Sequence, residues 1–164
     1  MNAIVYYSLG GTTGMVAEKL AQSLSVNSYP IEEIGNRKNN AINIAVGGYQ
    51  ATTEKKSAIK PLQFDSAGIE KMILCLPIWA NTTPPAVNSF FEQAKLSGQK
   101  VILVLVSGSG KNASAQENVA KKVNAHGGYA IDAFWIQSKS IKKAKPEFIQ
   151  PQLDDIIARM KKLL

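Results

Sequence analysis

Lys100-Val101-Ile102-Leu103-Val104-Leu105-Val106 is apolar at every position after its first, and Met72-Ile73-Leu74-Cys75-Leu76 repeats the pattern upstream. A strand with one wet face alternates apolar and polar residues. A short run without alternation, rich in β-branched residues, reads instead as a parallel strand covered on both faces. Residues 3–7 form an earlier run of this kind. Residues 129–136 form a later one that alternates more and so belongs at an edge of the sheet. A weaker run at residues 28–34, with Tyr29, Ile31 and Ile34 as its apolar members, supplies the other edge.

Between these runs the apolar period becomes helical. Val16, Leu20 and Leu24 fall at i, i+4 steps behind Thr12 or Thr13 as N-cap. Pro84 and Pro85 suit a first turn, with Val87, Phe90, Phe91 and Ala94 on the buried face behind them. Asn112 caps a third helix that turns Val119 and Val123 inward and ends at Gly127-Gly128. Pro151 starts the last helix, with Leu153, Ile156, Ile157, Met160 and Leu164 along its apolar side. In residues 35–57 Asn36, Asn39, Asn40, Gly47 and Gly48 interrupt any helical period. A parallel sheet still needs a crossover there, so a helix is placed loosely between residues 40 and 57. The alternation of strand and helix predicts an α/β, doubly wound, parallel sheet in a single domain over residues 1–164.

Bulk properties agree with one cytoplasmic domain. The chain has 164 residues, 45% of them hydrophobic and 19% charged, an ordinary globular balance. No run approaches the length of a membrane span, the N-terminus shows no targeting pattern, and one cysteine excludes an internal disulfide. Net charge is +7, yet the lysines are scattered in twos and threes. They read as solvated faces, and nucleic acid is not an expected partner.

In an open doubly wound sheet, ligands sit outside the C-terminal strand ends. Three loops therefore matter. The first, Ser8-Leu9-Gly10-Gly11-Thr12-Thr13, offers backbone N–H groups and hydroxyls to an anion. No lysine follows its glycines as a P-loop requires, and Gly10, Gly11 and Gly14 lack the dinucleotide spacing. By itself the turn reads equally as a phosphate cradle or as a tight turn before a capping threonine. The second loop, Pro77-Ile78-Trp79-Ala80-Asn81-Thr82-Thr83, brings a large aromatic to the same sheet edge. The third is Ser107-Gly108-Ser109-Gly110-Lys111-Asn112. Together the loops hold no Asp or Glu and one Lys. Cys75 reads as a buried small hydrophobe, and His126, alone at a helix end, forms neither a metal site nor a triad.

Tyr7-Ser8 with Gly11 and Thr13, then Leu76-Pro77-Ile78-Trp79-Ala80 followed by Pro84-Pro85-Ala86-Val87, resembles the flavodoxin family, particularly its oxidoreductase-like members. The resemblance runs in order along nearly the whole chain, residues 35–57 excepted. It implies a flavodoxin-like sheet of strand order 2-1-3-4-5 that holds FMN in the loops after its first, third and fourth strands. On that resemblance Ser8, Gly10, Gly11, Thr12 and Thr13 contact the phosphate, and Pro77, Ile78, Trp79, Ala80 and Asn81 line the ribityl and ring region. Ser107, Gly108, Ser109 and Gly110 supply backbone groups to the pyrimidine edge. Two departures stand out. Gly10 replaces a hydroxyl residue of many members, removing one charge-assisted bond worth roughly 1.5–3 kcal/mol. The third loop lacks a second ring-stacking aromatic, which leaves Trp79 to shield the flavin.

The resemblance implies a flavoprotein for electron transfer, or for NAD(P)H-dependent reduction of a small acceptor such as a quinone. Its partners are then a redox protein, or a nicotinamide donor with a small-molecule acceptor, and a homodimer is admitted. Carriers of the family are usually acidic, whereas a +7 chain is steered towards acidic partners. The alternative is a flavin-free module of the same fold that binds an anionic partner through its basic surface.

Overall fold

The structure, a computed structural model, describes residues 1–35, 54–139 and 143–164. Five strands, β1 (Asn2–Tyr6), β2 (Asn27–Pro30), β3 (Lys71–Pro77), β4 (Lys100–Ser107) and β5 (Tyr129–Gln137), make one sheet. All neighbours are parallel, in the order β2-β1-β3-β4-β5. This is the expected doubly wound arrangement, with the order reversing between β1 and β3. The helices among the described residues are α1 (Thr12–Leu24), α2 (Pro85–Ala94), α3 (Ala113–Ala125) and α4 (Pro146–Met160). None of them is long and apolar enough to cross a membrane.

The unalternating runs do what continuous apolarity requires, sending successive side chains into two separate cores. Met72, Leu74 and Leu76 of β3 and Val101, Leu103 and Leu105 of β4 face α2 and α3, meeting Phe90, Phe91, Val119 and Val123. Ile73, Cys75, Ile102, Val104 and Val106 face the other way, onto Val16 and Leu20 of α1 and Ile149, Leu153, Ile156 and Met160 of α4. Each such side chain, when fully buried, contributes on the order of 1.5–3 kcal/mol. Cys75 is completely buried, and that burial pushes its thiol pKa up. It is inert packing, as expected.

Several local expectations are corrected. The N-cap of α1 is Gly11, in the left-handed region at φ 88°, and Thr12 and Thr13 are the first two helical residues. Strand β2 stops at Pro30, which has no N–H to donate to the ladder. Ile31 makes one more bond, to the Tyr6 carbonyl, before the chain turns and Glu33 pairs antiparallel with Ile59. The last helix begins at Pro146, with Pro151 inside it. Both prolines suit a first turn; starting at the earlier one buries Ile149 completely, which offsets the backbone bond lost at Pro151. The helix placed between residues 40 and 57 lies mostly outside the described residues, and residues 54–57 are not helical. The caps of α3 are as expected: Asn112 Oδ1 accepts from the Ala115 N–H, and Gly128 N–H bonds the Val123 carbonyl beyond the helix end.

Candidate functional site

The first loop leaves β1 and enters α1 at the sheet's C-terminal edge. Because Gly11 is the cap, no side chain at the cap position bonds the first turn. The N–H groups of Thr12, Thr13 and Gly14 have no partner within the helix and carry the positive end of its dipole. Ser8 Oγ sits beneath them, accepting from the Gly11 N–H at 3.2 Å. The Thr12 hydroxyl, expected as a phosphate contact, accepts from the Ala144 N–H at 2.9 Å and is buried. Its bond ties the start of α4 to this loop. Thr13 is also buried, at 3% exposure, so the backbone carries more of this loop's donor capacity than its threonines do.

The second loop is a tight hairpin. Trp79 and Thr82 exchange both backbone bonds at 3.0 Å, and the two residues between them, Ala80 and Asn81, have φ of 47° and 62°. Two positive φ values in a two-residue loop define a type I′ turn. Neither residue is glycine, and each left-handed residue costs about 1–2 kcal/mol. Such strain persists where surrounding contacts over-determine it. Trp79, at the base of the turn, is half-buried and meets the Tyr7 ring edge-on, with centroids 5.9 Å apart. Thus the residue that leads into the first loop touches the second.

The third loop is closed on itself: Ser107 Oγ donates to the Gly110 carbonyl at 2.6 Å and accepts from the Gly110 N–H at 2.9 Å. Gly110 is buried beneath this turn, while Gly108 and Ser109 are exposed. Asn112 then reaches across, its Nδ2 donating to Asn81 Oδ1 at 2.8 Å. Of the expected site residues, then, Ser8, Gly11, Trp79, Ala80, Asn81 and the Ser107 turn converge on one edge, as do Gly10, Pro77 and Ile78 by chain continuity. Ile78 is held by its N–H bond to the Val106 carbonyl.

The fold also brings residues that the loop sequences do not contain. Glu33, just beyond β2, accepts from the Tyr7 hydroxyl at 2.8 Å. Lys143 follows β5 and lays its stem along Gly11: a Cβ there would lie 3.2 Å from Lys143 Cδ. Glu54 stands 3.4 Å from Lys122, beside the second loop. Lys111 faces away, lining a hollow with Trp135, Gln152 and Arg159 on the far side of β5. Pro30 was the available signal for Glu33, since a strand that ends there leaves Glu33 in a loop at the same edge. Trp135 is half-buried, with Nε1 donating to Gln116, and His126 stacks on Phe91. Both are packing residues.

A family model described as Flavodoxin matches residues 2–147. The chain belongs to the flavodoxin family. Among solved structures, this flavodoxin-family chain is similar to a flavoprotein from Lactobacillus acidophilus NCFM in complex with FMN, at 19% identity, TM-score 0.66, and coverage of 80% of this chain and 90% of that one. It is also similar to a protein of Bacteroides eggerthii DSM 20697 assigned as a flavoprotein, at 23% identity and TM-score 0.67, covering 96% and 97% of the two chains. A flavodoxin of Streptococcus pneumonia TIGR4 shares 13% identity at TM-score 0.55, with 99% of each chain covered. Among curated proteins, none matches the sequence. At these identities the structural likeness speaks for the flavodoxin fold. The fit of a flavin monophosphate rests on this chain's own residues: a glycine-capped helix N-terminus for the phosphate, and the half-buried Trp79 for the ring.

Proposed function

We propose that the chain binds FMN at the C-terminal edge of its sheet and moves reducing equivalents, as an electron carrier or as an NAD(P)H-dependent reductase of a small acceptor such as a quinone. The observation that carries this reading is the placement of the Gly11-capped N-terminus of α1 and the Trp79 turn at one edge of the sheet, with Tyr7, the residue before the first loop, set against the Trp79 ring. The likeness to a structure containing FMN supports it. Bound there, FMN supplies the hydride and single-electron chemistry. The protein's part is binding and electrostatics. Ser8 Oγ and the first-turn N–H groups of α1 hold the phosphate, with Lys143 alongside as a cation. Trp79 covers one side of the ring, and the Ser107–Gly110 turn bounds its far edge. Monophosphate is preferred because the loop offers one anion cradle.

Titration of the flavin-free protein with FMN, FAD and riboflavin, followed by absorbance and flavin fluorescence, tests the proposal. FMN is expected to bind most tightly and to lose its fluorescence. Equal affinity for riboflavin would remove the phosphate assignment, and no binding of any flavin would remove the function. Anaerobic bleaching of the complex by NADPH then separates the reductase from the carrier.

A further inference from the structure

We propose that Lys122, with Asn118, is a positioning residue that clamps the Trp79 turn in place before a cofactor arrives, and so sets the affinity for the flavin ring. The inference rests on the FMN reading for its last clause only.

Lys122 lies near the end of α3 with its side chain only 15% exposed. Its ammonium donates to Thr83 Oγ1 at 2.8 Å and to Asn88 Oδ1 at 3.0 Å. The Thr83 hydroxyl donates in turn to Asn88 Oδ1 at 2.6 Å, and Asn88 Nδ2 donates to the Lys55 carbonyl at 2.9 Å. Thr83 is completely buried and directly follows the Trp79–Thr82 hairpin. One helical turn before Lys122, on the same flank of α3, Asn118 Nδ2 donates to the Asn81 carbonyl at 3.0 Å. Asn112 adds its bond to Asn81 Oδ1. Three donors from α3 and its cap therefore grip the tip and the foot of a turn whose tip residues are both left-handed and neither is glycine.

A nearly buried ammonium is a costly way to fill space. An apolar residue of similar length would pack there without desolvating a charge, so a lysine in this position is stabilising only through the geometry of its bonds. What those bonds specify is the path from Thr83 back to Trp79. Glu54, 3.4 Å from the ammonium and 73% exposed, pairs with it from the solvent side.

The test uses the full chain carrying Trp135→Phe, so that Trp79 is its single tryptophan. Into this background go Lys122→Met, which keeps the length and removes the donors, Thr83→Val, their combination, and Asn118→Ala, which removes one solvent-exposed hydrogen bond from a half-buried residue. In the flavin-free state, acrylamide quenching of Trp79 is expected to rise about twofold in Lys122→Met and Thr83→Val. It is expected to rise no further in the double variant, because both act through one contact. Asn118→Ala shifts quenching in the same direction. The dissociation constants for FMN and riboflavin rise together, about tenfold, since the effect is on the ring side. Variants that melt at lower temperature with Trp79 quenching unchanged overturn the clamp, as does an affinity loss confined to FMN. Failure of the parent to bind any flavin overturns the FMN reading alone, and the quenching series still decides the clamp.

Discussion

The Tyr7 hydroxyl donates to the Glu33 carboxylate at 2.8 Å, joining residues 26 positions apart and setting an acidic group beside the first loop. The loops themselves contain no carboxylate, so the fold adds a negative charge that their sequences lack. If the proposed FMN site is right, this charge would oppose the negative charge that the flavin gains on reduction.

Glu33→Gln keeps an acceptor for Tyr7 and removes the charge. At about 10 Å and an effective dielectric near ~20, a unit charge contributes roughly 1.7 kcal/mol. That is about 70 mV for one electron, at ~59 mV per tenfold. In an anaerobic redox titration with FMN, the potential for the second electron is expected to become less negative by some tens of millivolts in Glu33→Gln. An unchanged potential would place Glu33 outside the electrostatic reach of the flavin.

Trp79→Ala removes the half-buried ring that stands against Tyr7. The loss of FMN affinity is expected at about 1–3 kcal/mol, on the scale of base–aromatic stacking. Titration by flavin fluorescence measures it, and wild-type affinity with wild-type quenching would show that the ring lies elsewhere.

How much of this was legible follows from the range over which each feature is encoded. The central strands were readable because Met72–Leu76 and Val101–Val106 each state their burial within a few residues. The cap at Asn112 and the stop at Gly127 are equally local. Boundaries with two local solutions were not readable: Pro146 and Pro151 both suit a first turn, and Gly11 and Thr12 both suit a cap. The site divides the same way. Its loops were found because topology places them at strand ends, whereas Glu33, Lys143 and the Lys122–Thr83 pair, 39 residues apart, depend on tertiary contacts that no local pattern announces.

Ala80 tests whether the second loop is strained. Its φ of 47° is left-handed, a conformation that costs an L-residue about 1–2 kcal/mol and glycine almost nothing. Replacement by glycine returns roughly 0.5–1 kcal/mol of that to the unfolded chain's greater freedom. Ala80→Gly is therefore expected to raise the urea midpoint by the equivalent of up to about 1 kcal/mol. A lower midpoint would mean that the turn carries no strain at this position.

Gly11→Ala and Gly98→Ala together separate binding from folding. Both glycines sit at φ 88°, so a methyl group strains both backbones to a similar degree, about 1–2 kcal/mol. For a chain of this size that lowers the melting temperature by roughly 2–8 °C. Their surroundings differ. A Cβ at Gly98 meets nothing within 4 Å, in the turn before β4 at the opposite end of the sheet, whereas one at Gly11 meets the Lys143 stem at 3.2 Å. At Gly11 the new methyl presses on the Lys143 stem, and the strained cap is expected to shift the first N–H groups of α1 out of line for a phosphate. Riboflavin, which lacks the phosphate, does not use these groups. Gly11→Ala is thus expected to lower FMN affinity while sparing riboflavin, and Gly98→Ala to leave both unchanged at a similar loss of melting temperature. A parallel loss for FMN and riboflavin in Gly11→Ala, or any FMN loss in Gly98→Ala, would show that affinity follows stability and not the phosphate cradle.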